Sequence, residues 1–308
     1  MKAGSVAALT GAILVLIYTA LISSADGITK LLAGGYAAPQ LYAVSGGLVA
    51  LFCVLANRAR PVEGGLRTTR PYAMAIRSVA TVVAGVSFFY AFRLLAFAEV
   101  FIFIGLMPIM SGLMSGPILR ERVPMRVWAA LAAGFVGVMC LFPEGMQAIT
   151  LGHAVALLAC FSGTLSMVMA RYVGRYERNS LALVFFPNLT NMVVMAAILP
   201  FVFKPMPLTD LGLAVAYAAL LFGARWLLVV ALRLLPAYTA TPLMNLQFVW
   251  MVLIGLVFFG EVPGSNVFLG AAIVVASGVY LVYEQFAGQK RREARIQNRA
   301  AAVMPPAE

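Results

Sequence analysis

Long apolar runs follow one another along nearly the whole 308-residue chain, and short polar breaks separate them. Most runs have about 18 to 23 residues, the length that an α-helix needs to cross a hydrocarbon core roughly 30 Å thick. The strands of an outer-membrane barrel are shorter and alternate between apolar and polar residues. With 63% hydrophobic and only 11% charged residues, against about 25% charged in soluble proteins, the sequence predicts an all-α integral membrane protein.

The polar breaks contain the glycine and proline residues that favour turns, and they divide the chain into ten predicted spans. These spans lie at residues 6–26, 38–56, 72–92, 97–119, 126–142, 151–170, 181–203, 211–232, 237–259 and 267–284. The start of the chain has Lys2 but no small-residue cleavage site, so we expect the first span to be retained and not removed as a signal peptide.

One charge pattern occurs twice, at an offset of 140 residues. An Arg-Leu-Leu triplet at residues 93–95 is followed, 28 residues after its arginine, by Glu121, and the same interval joins the triplet at residues 233–235 to Glu261. Corresponding features in two halves of an apolar chain indicate a transporter built from structural repeats. Because 140 residues hold five spans, an odd number, the two halves are predicted to enter the membrane with opposite orientations and to meet at a binding site near the midplane.

The 22 lysine and arginine residues, which give a net charge of +11, are unevenly distributed between the predicted loops. The termini and even-numbered loops hold 17 of them, whereas the odd-numbered loops hold three, Lys30, Arg93 and Lys204. By the positive-inside rule, both termini are predicted to be cytoplasmic in a multi-pass protein of the inner membrane. Because the charges lie in short loops and a tail, and not on a soluble domain, we expect contact with the lipid bilayer and no nucleic-acid partner.

The predicted units are an N-terminal five-helix repeat at residues 1–145, an inverted C-terminal five-helix repeat at 146–286 and a basic cytoplasmic tail at 287–308. No metal is expected, because the three cysteines form no CxxC pair, there is one histidine, and the 11 acidic residues are dispersed. A membrane enzyme acting on a lipid or phosphate substrate would need clustered metal ligands. That class is therefore disfavoured, as is a channel, since no ring-forming filter motif is present.

Three segments share the pattern of a known family. The first span ends in Ser-Ala-Asp-Gly-Ile-Thr-Lys at residues 24–30, the fourth runs through Pro108 to Leu-Arg-Glu-Arg at 119–122, and the ninth begins within residues 234–242 and leads to Glu261. In these segments the chain resembles the drug/metabolite transporter superfamily, in its ten-helix EamA-type branch. Within that branch it looks most similar to the YddG-like amino-acid exporters.

The resemblance implies a ten-helix carrier without a cofactor that exports small metabolites such as amino acids through a central cavity, lined mainly by spans 1, 3, 4, 6, 8 and 9. Many members carry an arginine in the second span, where this chain has Ser-Gly-Gly at residues 45–47, and a proline in the ninth, where it has Phe248. Roles tied to those two positions do not carry over. A carrier of nucleotide-type metabolites or xenobiotics in the same superfamily is the alternative.

Two arginines lie inside predicted spans, Arg77 in the third and Arg225 in the eighth. A charge within the hydrocarbon costs about 2.5 to 3.5 kcal/mol on insertion scales. Each arginine is therefore expected either to extend its side chain to the lipid headgroups or to face a cavity, where it would bind a carboxylate or close the inner gate. Aromatic side chains near such positions are candidates for pocket walls, and we single out Tyr90 and Trp226.

Uncharged polar residues within spans are candidates for hydrogen bonds to a substrate or to a neighbouring helix. Asn245 and Gln247 in the ninth span are the best candidates for the cavity, because they follow the break at Pro242, where backbone carbonyls are freed. Pro108 in the fourth span is a candidate kink for gating.

Three further charged residues are assigned gating or structural roles. Asp26 and Lys30 are four residues apart at the predicted outer end of the first span, in the order that favours an intrahelical pair. Glu99 follows Arg93 across the turn between spans 3 and 4 and is expected to be its partner. Glu121, which two arginines flank directly in sequence, is expected to hold the end of span 4 in place.

The sequence therefore predicts a secondary transporter that exports amino acids or related small metabolites by alternating access. We expect a small-molecule substrate and favour a monomer. Because the sequence places no carboxylate clearly at the midplane, it favours facilitated export down a gradient over proton antiport.

Overall fold

The computed structural model describes residues 3–59, 61, 65–95, 97–121, 125, 128–129, 132–133, 135–136, 150–177, 179–235, 240, 243–260, 269, 272–273, 276, 280 and 283. All regular structure in this part of the chain is helical. Numbered in chain order, its helices are α1 (Ala3–Ala33), α2 (Ala38–Ala59), α3 (Pro71–Leu94), α4 (Phe97–Leu119), α5 (Leu151–Gly174), α6 (Ser180–Ile198), α7 (Leu208–Leu234) and α8 (Gln247–Phe259). A 3₁₀ turn, Leu199–Phe201, follows α6.

Six of the described helices, α1, α2, α3, α5, α6 and α7, are long and apolar enough to cross a membrane. Shorter apolar helical stretches are Phe103–Leu119 within α4 and Gln247–Phe259, which is α8. The prediction of a helical membrane protein is confirmed for these residues. The spans predicted at 126–142 and 267–284 lie mostly outside the described residues.

Helix α1 is longer than the sequence analysis predicts, since it ends at Ala33 and not near residue 26. It ends where the backbone N–H groups of Gly35 and Tyr36 both turn back to the carbonyl of Leu32. Asp26 therefore lies inside the helix and not at its end. The prediction was wrong because it treated this carboxylate as the start of the polar boundary, although its partner lies on another helix.

The predicted ninth span is not one uninterrupted helix in its described residues. The chain turns at Asn245 and Leu246 before α8 begins at Gln247. Around this turn the backbone N–H groups of Leu246, Phe248 and Val249 each bond the carbonyl three residues earlier, at 3.1 Å, instead of four residues earlier. The tighter turn brings irregular backbone into the middle of the helical bundle, which membrane proteins tolerate where the backbone is buried or lines a cavity.

The most extensively packed helix pairs form a regular set. They are α1–α7, α3–α5, α2–α6, α4–α5, α1–α8, α2–α7 and α3–α6. If α1, α2, α3 and α4 are exchanged with α5, α6, α7 and α8 respectively, each pair becomes another member of the set or itself. The described helices thus pack with an approximate two-fold equivalence.

Two glycines show the same equivalence at atomic detail. Gly11 of α1 packs so closely on the end of α7 that an added Cβ atom would lie 2.7 Å from Cγ of Leu235. Gly152 of α5 packs on the end of α3, where an added Cβ atom would lie 2.7 Å from Cδ2 of Leu95. Leu95 and Leu235 also adopt nearly the same extended conformation, with φ of −119° and −118°.

Candidate functional site

A cavity of about 210 Å³ lies at the centre of the bundle, and all eight described helices or their immediate flanks contribute to its wall. Its apolar wall includes Phe88, Phe92, Ile104 and Met107. Its polar lining residues are Tyr18, Asp26, Thr29, Tyr42, Arg77, Thr81, Ser166, Asn188, Asn191, Tyr217, Arg225, Asn245 and Gln247. A cavity with an apolar wall and a few convergent polar groups has the usual properties of a small-molecule site.

Arg77 points into the bundle and not to the lipid headgroups, since its side chain is only 7% exposed. Its Nη1 donates to the carbonyl oxygen of Ser166 at 2.6 Å and to Oγ of the same serine at 3.2 Å. Its Nε donates to the carbonyl oxygen of Leu183 at 3.2 Å. That carbonyl lacks its intrahelical donor, because the residue four positions later is Pro187, which has no N–H.

Arg225 lies on α7 and also lines the cavity. Its Nη1 donates to Oδ1 of Asn188 at 2.8 Å, and Nδ2 of the same asparagine donates to the carbonyl oxygen of Val184 at 2.7 Å. The second bond fixes the orientation of the amide, so its oxygen faces the guanidinium group. Of the two alternatives that the sequence leaves open for Arg77 and Arg225, the structure shows the cavity position for both.

Asp26 joins α1 to the broken span. Nε2 of Gln247 donates to Oδ2 of Asp26 at 2.8 Å. Two weaker contacts link the same helices: Oγ of Ser23 donates to the carbonyl oxygen of Gln247 at 3.4 Å, and Nε1 of Trp250 donates to Oγ1 of Thr19 at 3.2 Å. The predicted intrahelical pair is not formed, because the carboxylate is directed across to α8.

The second half of the chain matches a known family of proteins, since residues 150–283 match the model of the EamA-like transporter family. Two curated relatives support this. A riboflavin transporter of Vibrio cholerae is 26% identical over 188 residues, which cover 61% of this chain and 62% of that protein. A riboflavin transporter of Rhizobium johnstonii is 24% identical over 173 residues, or 56% and 57% of the two chains.

The chain thus spans only about three fifths of the length of these relatives. A solved crystal structure of another protein has the same fold, with a TM-score of 0.73 and 18% identity, over 92% of this chain and 98% of that chain. At this identity the likeness shows the fold alone. Over the matched residues the chain is therefore similar to transporters of the EamA-like family.

The central cavity carries more positive than negative charge. Among the described lining residues, Arg77 and Arg225 are cationic and Asp26 is the single carboxylate. Within the described part of the chain, neither arginine has a carboxylate within 4.0 Å. The guanidinium groups are instead held by neutral oxygens, which leaves their charge available to an anionic group of a solute.

Two of the predicted wall residues do not reach the cavity. Tyr90 is 37% exposed and Trp226 is 43% exposed, and neither lines the cavity. On a helix, residues three or four positions apart share a face. Phe88 and Phe92 on α3 lie four apart on the cavity face, whereas Tyr90 lies between them on the opposite side. Trp226 follows Arg225 directly and therefore points about 100° away from it.

The predicted gating residues have mixed outcomes. Nζ of Lys30 lies 4.6 Å from the centroid of the Phe259 ring, which places it against the end of α8. Glu99 and Pro108 belong to α4, but their side chains lie outside the described residues, as does the whole of Pro242.

Sequence reasoning did not select Tyr42, which lies beside Tyr217 with a centroid distance of 6.4 Å. A lone tyrosine near the start of an otherwise apolar span gives little indication of its direction.

One end of the bundle is closed by an ion-pair cluster. Glu121, after α4, accepts from Nε of Arg171 at 2.8 Å and from Nη2 of Arg175 at 2.6 Å. Arg171 also bonds the carbonyl oxygens of Leu232 and Leu235 at the end of α7. The glutamate therefore ties three helix ends together through Arg171 of α5 and Arg175 directly after α5.

The opposite end is held by Tyr36 and Asp210. The hydroxyl of Tyr36, between α1 and α2, donates to Oδ2 of Asp210 at the start of α7. This hydrogen bond to a carboxylate raises the pKa of Tyr36 above its ordinary value.

Proposed function

We propose that the protein is a secondary transporter that exports a small metabolite across the inner membrane by alternating access to the central cavity. The observation that carries this proposal is the polar, net-cationic cavity at the centre of helices that are otherwise apolar. Buried charges in a membrane are costly and mark solute pathways. The two arginines and the carboxylate among the lining residues can bind the polar groups of a solute in transit.

The mechanism we propose uses two inverted five-helix halves. It is supported by the two-fold equivalence of the packed helix pairs, and by the matching contacts of Gly11 and Gly152 with Leu235 and Leu95. In carriers of this type one arrangement of the halves opens the cavity to one side, and the exchanged arrangement opens it to the other. The irregular turn at Asn245, in the cavity wall, is typical of such sites.

The orientation we propose has both termini in the cytoplasm and the ion-pair cluster of Glu121 on the cytoplasmic side. It is supported by the 17 basic residues in the termini and even-numbered loops, against three in the odd-numbered loops. The cavity lies within one chain, so a monomer suffices for transport.

The substrate class best supported is a small polar molecule with an aromatic ring system, such as riboflavin. Two curated relatives are riboflavin transporters. The cavity offers the rings of Tyr18, Tyr42, Tyr217 and Phe88, together with side-chain amides that can bond the polar edge of a heteroaromatic ring.

Amino acids are the second candidate class, and the observation that favours them is the pair of arginines. A guanidinium group binds a carboxylate through two parallel hydrogen bonds. Arg77 and Arg225 both line the cavity without a carboxylate partner among the described residues. An amino-acid side chain would then lie against the tyrosine rings.

Counterflow in proteoliposomes distinguishes these classes. Vesicles containing the purified protein are preloaded with riboflavin, methionine, threonine or an aromatic amino acid, and entry of the same labelled solute is measured. We expect exchange of riboflavin, and its loss in Gln247→Ala. Exchange of amino acids alone would favour amino acids as the substrate class. Exchange of none of these solutes by folded protein would contradict both and favour nucleotide-type or xenobiotic substrates.

A further inference from the structure

Asp26 is the only carboxylate among the described residues that line the central cavity. We propose that Asp26 is a proton-binding site of this transporter, and that one proton moves inward on it for each solute molecule exported. The proposal rests on the proposed function, because it takes the cavity as the route of the solute. The sequence alone favours facilitated export, and the position of this carboxylate is the observation that reverses that preference.

The local surroundings allow the Asp26 side chain to change its protonation state. Its side chain is partly buried, and its described hydrogen-bond partner is the neutral amide of Gln247. No lysine or arginine lies within 4.0 Å of it in the described part of the chain. A carboxylate locked in an ion pair would stay charged. Asp26 lacks that constraint and borders a space that solute and water can enter.

Other titratable or charged groups face this region from the helices packed around it. Helix α8 contributes none, because its residues Gln247–Phe259 include no acid, base or tyrosine. The remaining groups, on α1, α2, α3 and α7, are Tyr18, Lys30, Tyr42, Arg77, Tyr217 and Arg225. The tyrosines are neutral and the lysine and arginines are cationic at neutral pH. Asp26 is therefore the group in this set that can act as a proton acceptor.

The proton step is a simple exchange with water. With the cavity open to the outside, a hydronium ion transfers its proton to a carboxylate oxygen of Asp26, which becomes a neutral carboxylic acid, and the solute leaves. With the cavity open to the cytoplasm, the acid returns the proton to water and the carboxylate is restored. Each cycle moves one proton inward against one solute molecule outward.

Protonation also changes a contact between helices. The bond from Gln247 to Asp26 is charge-assisted while the carboxylate is ionised, and charge-assisted bonds are roughly twice as strong as neutral ones. A proton on Asp26 therefore weakens the strongest of the contacts that join α1 to α8, leaving those of Ser23 and Trp250. Proton binding and the opening of the α1–α8 wall are linked through this bond.

The test uses proteoliposomes with a pH gradient and no membrane potential, and riboflavin and methionine as probes. For each variant we compare the steady-state solute ratio across the membrane with and without the gradient. For one-proton antiport of a neutral solute, this ratio changes about tenfold for each pH unit of gradient. We expect that response in the wild type, its loss in Asp26→Asn and its retention in Asp26→Glu. Asp210→Asn, which changes a carboxylate outside the cavity, is the matched control and should respond like the wild type.

The proposal is overturned if the wild type exchanges solute but its steady-state solute ratio does not change with the pH gradient. It is also overturned if the ratio in Asp26→Asn responds as fully as in the wild type. If the wild type exchanges neither probe in counterflow, the proposed function fails. A second measurement then tests the site on its own. Infrared difference spectra of purified wild-type protein should show the carbonyl stretch of a protonated carboxyl as the pH is lowered. This band should be missing in Asp26→Asn, and identical spectra of the two proteins would overturn the proposal even without transport.

Discussion

Gly46 and Gly47 are adjacent on α2, but only Gly46 approaches the backbone of another helix. A Cβ atom on Gly46 would lie 2.8 Å from the carbonyl oxygen of Asn188 and 3.0 Å from the backbone nitrogen of Met192. A Cβ atom on Gly47 would meet the sulfur of Met192 at 3.1 Å. Backbone atoms of a packed helix cannot move alone, whereas a methionine side chain adapts easily.

The two alanine variants should therefore differ in stability. Each gains the same helix propensity, about 0.8 to 1.0 kcal/mol over glycine, so this contribution cancels in the comparison. Inserting a methyl group into a tight contact costs about 1 to 3 kcal/mol. We expect Gly46→Ala to be less stable than Gly47→Ala by about 1 to 3 kcal/mol.

The assay is unfolding in mixed detergent micelles, with the free energy of unfolding obtained for both variants and the wild type. A transport defect should accompany the loss in Gly46→Ala, because a shift of the Asn188 backbone moves the amide that holds Arg225. Equal stabilities of the two variants would refute the close packing of α2 on α6.

Three further predictions concern the ends of the helices. Gly11→Ala and Gly152→Ala should destabilise the protein by similar amounts, about 1 to 3 kcal/mol each, in the same unfolding assay; a large effect of one alone would contradict the equivalence of the two halves. Glu121→Gln should lower the free energy of unfolding by about 1 to 3 kcal/mol, since it removes a charged acceptor from two arginines, and unchanged stability would refute this role. Tyr36→Phe should abolish one contribution to the pH dependence of the free energy of unfolding. Because the bond to Asp210 raises the pKa of Tyr36, its stabilisation is full below about pH 10, the ordinary tyrosine value, and is lost as the pH rises through the raised pKa. The free energies of unfolding of the wild type and Tyr36→Phe should therefore converge at alkaline pH. A difference that stays constant with pH would contradict this role of the Tyr36–Asp210 bond.

The helical class and most helix positions could be predicted from the sequence, because apolar length and turn residues are local signals. The polar interior was predictable only in part. Arg77 and Arg225 are conspicuous as charges inside apolar runs, but their direction depends on partners 89 and 37 residues away. Periodicity could have excluded Tyr90 and Trp226, since neither shares a helix face with the polar residues of its own helix that line the cavity.

Other features of the site were not accessible to sequence reasoning. Asp26 and Gln247 are 221 residues apart, and nothing local indicates that they meet. For the same reason the end of α1 was placed too early. The carbonyl of Leu183 needs an outside donor because of Pro187, but the sequence does not say that Arg77 supplies it.

The most direct test of the account compares two neighbouring residues of α7 in counterflow. Arg225 lines the cavity, whereas Trp226 is exposed on the outside of the helix. We predict that folded Arg225→Ala loses most of the exchange seen in the wild type and that Trp226→Ala retains it. Equal exchange by the two folded variants would contradict the claim that solute passes through the central cavity.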